Sequence, residues 1–117
     1  MENLSIIGSS KIAEEHIKSA IRNRIKILCV YTTNPKSKNI LNIQKKYKID
    51  KIFYNFEEFL NFSKKNNSHF LICARIKDNK KILIKCLTKT KSKIMIEKPI
   101  FINPKNFGHF YKFNNRI

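Results

Sequence analysis

Two short segments carry residue types at spacings that suit chemistry. Gly8-Ser9-Ser10-Lys11-Ile12-Ala13 follows the apolar run Leu4-Ser5-Ile6-Ile7 and opens an amphipathic stretch. It has the G-x-G-x-x-G/A spacing, with Ser10 where the second glycine would stand. Gly8 permits a tight turn, and Ala13 permits close packing of a helix on a strand. Backbone amides from Ser9 to Ile12 can hold a pyrophosphate at the positive end of the helix dipole. Ser10 adds a Cβ to that approach, and a hydroxyl able to donate to a phosphate oxygen. An ordinary strand-to-helix turn is the plain alternative. The second segment is Glu97-Lys98-Pro99, after the apolar run Ile94-Met95-Ile96. A lysine held at a strand's carboxyl end can hydrogen-bond a substrate hydroxyl and help move its proton. Glu97 would orient it and Pro99 would fix the turn. Taken alone, it is a polar tripeptide in a Lys-rich chain.

Two further junctions bear on the same chemistry. Tyr31-Thr32-Thr33-Asn34 ends an apolar run where an NAD-binding fold usually sets Asp or Glu against the ribose hydroxyls. Thr32 and Thr33, with Lys36 and Lys38 nearby, would offer a 2′-phosphate hydroxyls and positive charge, which favours NADP over NAD. Those lysines equally suit a solvated surface. Arg75, in Ala74-Arg75-Ile76-Lys77-Asp78, falls on a loop that would face a phosphate, a substrate carboxylate or solvent.

These positions need elements to hold them, and the chain alternates regularly. From Lys11, apolar Ile12, Ala13, Ile17, Ala20 and Ile21 recur at helical spacing. Ile25 to Tyr31 reads as a strand. Asn34 and Pro35 suit the cap and first turn of a helix to about Tyr47, with Ile40, Leu41 and Ile43 facing inward. A short strand at Lys51–Tyr54 precedes a helix from Asn55 or Phe56 that carries Phe59, Leu60 and Phe62. His69 to Ala74 is a strand, and Asp78 caps a helix from Asn79 to about Thr88 bearing Ile82, Leu83, Cys86 and Leu87. Lys93 to Glu97 is a fifth strand.

Strands alternating with helices of this length imply right-handed crossovers and a parallel sheet. Near-continuous apolar runs fit strands covered on both faces. The expected fold class is α/β, an open doubly wound parallel sheet in a single domain over residues 1–117. Its ligands would bind beyond the carboxyl ends of the strands, where strand order reverses.

Composition narrows the function classes. Of 117 residues, 25 are Lys or Arg and 8 are Asp or Glu, for a net charge of +17. Yet 21 of the basic residues are Lys, and Lys, Ile and Asn make up 55 residues, a profile that A- and T-rich codons produce. The lysines are spread along the chain, whereas nucleic-acid sites favour Arg and stacking aromatics. A solvated Lys-rich surface is therefore expected, with weak salt-sensitive polyanion binding and no specific nucleic-acid site. No run is long and apolar enough to cross a membrane, and the N-terminus lacks the form of a signal peptide. Cys29, Cys73 and Cys86 sit among apolar neighbours at wide spacing and read as buried thiols in the cytoplasm. With His16, His69 and His109 they do not make a metal site.

In order and at these spacings, the junctions give a resemblance. Ile6 to His16, Cys29 to Pro35, and Ile94 to Ile100 resemble the N-terminal dinucleotide-binding domain of the Gfo/Idh/MocA family of sugar and polyol oxidoreductases. The resemblance covers nearly the whole chain, and Glu97-Lys98-Pro99 is its most specific element. It implies a Rossmann-like domain whose first turn binds the pyrophosphate of NAD or NADP. It also implies that Lys98 lines the active site and assists hydride and proton transfer on a sugar-derived hydroxyl or carbonyl. Ser10 departs from the family's second glycine, and Arg75-Ile76 stands where Thr-Pro is common. The family's larger α+β domain, with the substrate pocket and a catalytic His, is absent from these 117 residues. The expectation is a cofactor half, with substrate enclosed by a missing domain or a partner chain. The other reading is a stand-alone nucleotide-binding or interaction module, or a gene remnant, without catalysis; Phe101, Phe107, Phe110, Tyr111 and Phe113 would then seek a partner or pack back on the sheet.

Overall fold

The computed structural model describes residues 2–33, 38–97 and 116. Expectations at Asn34, Pro35, Lys36, Lys98, Pro99 and the aromatic residues between 101 and 113 lie outside the described residues.

Among the described residues, β1 (Asn3–Ile7), β2 (Lys26–Tyr31), β3 (Ile52–Phe53), β4 (His69–Ile72) and β5 (Ile94–Ile96) form one sheet in the order β3-β2-β1-β4-β5. Every neighbouring pair is parallel. The connections are helices: α1 (Lys11–Arg22), α2 (Lys38–Tyr47), α3 (Phe56–Lys65) and α4 (Asn79–Lys89), the last preceded by a 3-10 turn at Ile76–Asp78. Strand order runs outward from β1 to β3, then resumes on the other side with β4. The reversal therefore falls between β1 and β4, at their carboxyl ends.

Adjacent residues within a strand are buried in different layers, which is why the strands read as unbroken apolar runs. Ile6, Val30 and Leu71 pack with Ala13 and Ile17 of α1 and Ile40 and Ile43 of α2. Ile7, Cys29, Phe70 and Ile72 pack with Phe59 and Leu60 of α3 and Leu83, Cys86 and Leu87 of α4. The α3 layer is aromatic: Phe59 contacts Tyr31, Phe53, Phe56 and Phe70 at centroid distances of 5.6–6.2 Å. One buried polar knot interrupts it. Ser5 Oγ lies 2.7 Å from Ser63 Oγ and donates to Ser68 Oγ at 2.8 Å, and the Cys29 thiol donates to Ser5 Oγ at 3.4 Å. These groups satisfy one another, so the hydroxyls do not carry the desolvation cost of unpaired polar atoms.

Three expectations need correction. Leu41 is 55% exposed, not inward. Ile40 and Ile43, three residues apart, share the buried face, and Leu41 is rotated about 100° away from Ile40. Asp78 occupies the N-cap position of α4 but makes no side-chain cap bond. Its backbone is helical (φ −95°, ψ −11°), because the 3-10 turn runs directly into the helix, whereas a capping side chain needs an extended residue. Cys73 is half-buried rather than buried, because it lies just past the end of β4.

The helix ends are built without glycine. With glycine at two positions in the sequence, α1, α2 and α3 stop on left-handed residues that are not glycine: Arg24 (φ 61°), Lys48 (φ 54°) and Asn67 (φ 53°). Ile25 N–H donates to Ala20 O, Ile49 N–H to Gln44 O and Ser68 N–H to Ser63 O, closing the same six-residue ring each time. A Cβ at such a φ costs about 1 kcal/mol. Arg24→Gly and Lys48→Gly are therefore expected to raise the unfolding free energy by roughly 0.5–1 kcal/mol each in urea titrations; a loss of stability in both would contradict this description of the helix ends.

Candidate functional site

At the carboxyl ends of the strands, a groove of about 320 Å3 opens over the point where strand order reverses. Its walls come from the β1–α1 turn (Gly8, Ser9, Ser10), the end of β2 (Tyr31, Thr32, Thr33) and the β4–α4 segment (Cys73, Ala74, Arg75, Asp78), with Ile82 from α4. Hollows of up to about 550 Å3 lie at the opposite edge, beside residues such as Lys26, Lys51, His69 and Lys91. Volume does not decide between them: parallel α/β sheets place ligands at the carboxyl edge, where helix N-termini converge.

Gly8 is fixed by space and by backbone conformation together. Its φ is +122°, and a Cβ there would stand 2.6 Å from the Cys73 carbonyl oxygen. Its N–H donates to Tyr31 O at 2.9 Å, while Cys73 N–H donates to Ile7 O at 2.8 Å. The turn is thus stitched to β2 on one side and to the end of β4 on the other.

Ser10 is the N-cap of α1. Its backbone is extended (φ −75°, ψ 174°), and its hydroxyl accepts a hydrogen bond from Ala13 N–H at 3.3 Å. The Ser10 carbonyl accepts the first helical bond, from Glu14 N–H at 3.0 Å. The residue that departs from the glycine spacing therefore serves the helix, a contribution of about 1 kcal/mol for a serine cap. As an acceptor from Ala13, its hydroxyl keeps its own proton for another partner. Lys11 and Ile12 occupy the first two helical positions, whose amides have no acceptor within a helix. Ala13 is fully buried and brings α1 down onto Ile6, as its small side chain allows.

Ser9 and Thr32 are brought together, their hydroxyl oxygens 3.0 Å apart. Thr32 is 4% exposed, so this contact sits in the floor of the groove, while Thr33 is exposed beside it. Arg75 is exposed at the rim and donates from Nε to Asp78 Oδ2 at 3.2 Å. Glu97 N–H donates to Ile72 O at 2.9 Å, prolonging the β4–β5 ladder, and its carboxylate meets His16 Nε2 on α1 at 2.5 Å. Lys98, the next residue, lies outside the described residues. Burial, and secondarily the Glu97 carboxylate, push the Cys73 thiol up to about 12. Cys86 is also pushed up to about 12, by burial against a smaller opposing effect of Arg116.

The structure thus gathers Gly8, Ser9, Ser10, Thr32, Thr33 and Arg75 at one groove, with Lys11 and Ile12 beginning the helix that leaves it. Glu97 stands at the end of β5, linked to α1. The sequence reading missed Tyr31, Cys73, Asp78 and Ile82 as groove walls and His16 as a partner of Glu97. Apolar residues at strand ends carry no local signal of what they line, and an 81-residue separation hides the histidine contact.

The comparisons bear on the same region. The family model described as "Oxidoreductase family, NAD-binding Rossmann fold" (GFO_IDH_MocA) matches residues 3–113. The chain belongs to the Gfo/Idh/MocA oxidoreductase family. Among solved structures of similar fold is the WlbA (WbpB) dehydrogenase from Thermus thermophilus, in complex with NAD and UDP-GlcNAcA, at TM-score 0.82 and 14% identity; the match covers 99% of this chain and 39% of that one. The scyllo-inositol dehydrogenase from Lactobacillus casei, with NAD(H) and scyllo-inositol bound, matches at 0.79 and 13%, covering 98% and 34%. An NAD-binding protein from Listeria innocua matches at 0.79 and 19%, covering 98% and 32%. No match is found among the curated proteins. The chain spans about a third of the length of these solved structures. Among the described residues, no helix is long and apolar enough to cross a membrane, and no group of His, Cys, Asp and Glu side chains could hold a metal.

Two outcomes follow for this Gfo/Idh/MocA domain. Gly8→Ala should destabilise it by about 2 kcal/mol or more in urea unfolding, since the new methyl meets a backbone carbonyl at an adverse φ; unchanged stability would refute the described turn. With thiols at about 12 rather than an ordinary value near 9, Cys73 and Cys86 should react with iodoacetamide at pH 8 roughly a thousandfold more slowly folded than in urea. Equal rates would contradict their burial.

Proposed function

We propose that this chain is the dinucleotide-binding part of an oxidoreductase that moves a hydride between NAD(P) and a hydroxyl or carbonyl of a sugar, polyol or nucleotide sugar. The observation that carries the reading is the tight turn at Gly8, which starts α1 on the carboxyl edge with its first-turn amides beside the groove. A pyrophosphate needs such a cradle, and the residues present fit one: Gly8 makes the turn, and Lys11 and Ile12 offer amides at the positive end of the helix. Ser10 caps the helix by accepting from Ala13 N–H, which leaves its hydroxyl proton available as a further donor. When bound, the dinucleotide supplies the hydride acceptor or donor.

The chain's own residues bind and orient. Ser9, Thr32 and Thr33 would meet the adenosine ribose, and the lack of a carboxylate there is what favours NADP within a family described as NAD-binding. Arg75 would screen phosphate charge at the rim. Glu97 would hold the strand end from which Lys98 reaches the substrate hydroxyl and helps move its proton. Relatives that hold scyllo-inositol or UDP-GlcNAcA support a hydroxylated ring as substrate. A pocket for it would come from another domain or a partner chain. The free cysteines, two of them buried, support the cytoplasm as its compartment.

A fluorescence titration of the chain with NADH and NADPH tests this reading. Both should saturate at one equivalent, NADPH about tenfold more tightly, and affinity should change only severalfold between roughly 50 and 200 mM salt. Loss of about a thousandfold over that range, without a fixed stoichiometry, would mark a Lys-rich surface attracting phosphate and would overturn the proposal. Tighter binding of NADH would overturn the NADP preference alone.

A further inference from the structure

We infer that Arg75, held by Asp78 as its positioning residue, binds the pyrophosphate of the dinucleotide from the β4 side of the groove, while the first-turn amides of α1 meet it from the β1 side. The inference rests on the reading of the groove as a dinucleotide site given above.

A chain with 25 Lys and Arg residues places one cation among the described walls of this groove, and it is Arg75. One carboxylate, Asp78, stands beside it. The two are joined twice through a single turn. Asp78 N–H donates to Arg75 O at 2.8 Å, and Arg75 Nε donates to Asp78 Oδ2 at 3.2 Å. Asn79, the next residue, is 2% exposed, so the turn is rooted in the core. Asp78 stands at the N-cap of α4 yet leaves the cap bond unmade, and its carboxylate serves Arg75 instead. Because that bond uses Nε, both terminal nitrogens of Arg75 are without a partner among the described residues, and the side chain is 72% exposed. A guanidinium presented in this way matches the paired oxygens of a phosphate. Arg116 is the contrast: its Nε and both terminal nitrogens donate to the carbonyls of Ser92, Leu87 and Thr90.

The register selects which phosphate. Ile7 of β1 pairs with Ile72 of β4, so Ser10 and Arg75 each follow a paired residue by three positions on adjacent strands. Cys73, two residues before Arg75, sets its carbonyl against Gly8. Thr32 and Thr33 follow β2, which lies two strands from β4, about 10 Å at ordinary strand spacing. The turn that would seat the pyrophosphate is therefore the nearer neighbour of Arg75, and the end of β2, where the 2′ position of the ribose would lie, is the farther one.

The test titrates the 117-residue chain and four variants with NADH and with NADPH at one fixed salt concentration. Arg75→Gln should weaken both nucleotides about tenfold and keep the ratio between them, because either complex loses the same charge-assisted bonds. Arg75→Lys, which keeps the charge and loses the fork, should fall between Arg75→Gln and the wild type. Two changes at Asp78 separate positioning from charge. Removing a carboxylate tightens an anion by itself, so Asp78→Asn, which keeps an acceptor for Nε, should bind NADH at least as tightly as the wild type. Asp78→Ala, which has no acceptor, should bind NADH severalfold more weakly. Urea midpoints should stay together across the set, since an exposed ion pair adds little stability. If the wild type saturates and Arg75→Gln binds both nucleotides as the wild type does, the inference is overturned and the dinucleotide reading stands. A loss confined to NADPH would assign Arg75 to the 2′-phosphate and overturn the pyrophosphate contact. Asp78→Ala binding as tightly as Asp78→Asn would overturn the positioning role. A wild type that saturates with neither nucleotide would remove the dinucleotide reading, and this inference with it.

Discussion

The turn at Gly8 is the constraint on which the carboxyl edge depends. Three main-chain events meet there: β1 ends on β2, the chain after β4 donates to β1, and the Cys73 carbonyl fills the space any side chain would need. With a positive φ, the chain can turn from the sheet into α1 within three residues, and the helix then starts at the edge of the groove instead of above it. Every group in the candidate site is placed relative to that turn. Ser10 caps the helix because the turn ends on extended backbone, and Ser9 reaches Thr32 because the turn is tied to the end of β2.

The sheet explains why the turn is rigid enough to serve. Each strand contributes side chains to two helical layers, so Ile6 and Ile7, adjacent in sequence, are buried against α1 and α4 respectively. A shift of β1 by one residue would exchange those layers and expose neither face to water at less cost. The serine and cysteine knot at Ser5 adds a polar register mark in the α3 layer, since its hydrogen bonds are met only when Ser5 opposes Ser63 and Ser68.

How much of this was readable from the sequence follows from which forces are local. Element order, the parallel sheet and the β1–α1 junction were legible because apolar periodicity and the Gly8 to Ala13 spacing are short-range signals. Leu41 was misjudged because three apolar residues in four positions cannot all share one helical face, and periodicity alone did not say which to reject. Asp78 looked like a cap by type, yet the backbone conformation that enables capping is set by the preceding turn. The left-handed residues Arg24 and Lys48 left no trace, because a lysine or arginine gives no hint of positive φ, whereas Asn67 is of a type that adopts it readily. His16 could be seen in the sequence, but its partner lies on the last strand, and contacts between distant segments are visible only once the topology is known.

A dinucleotide seated at the carboxyl edge over the β1–β4 reversal would shift the amides of the β1–α1 turn. Mapping 1H–15N amide shifts of the chain as NADPH is added is the decisive measurement. The largest shifts are expected at Gly8, Ser9, Ser10, Lys11 and Ile12, with smaller ones at Thr32 and Thr33, and none at the opposite edge around Lys64, Lys89 and Lys91. Shifts concentrated at those lysines, with the β1–α1 turn silent, would contradict that seating.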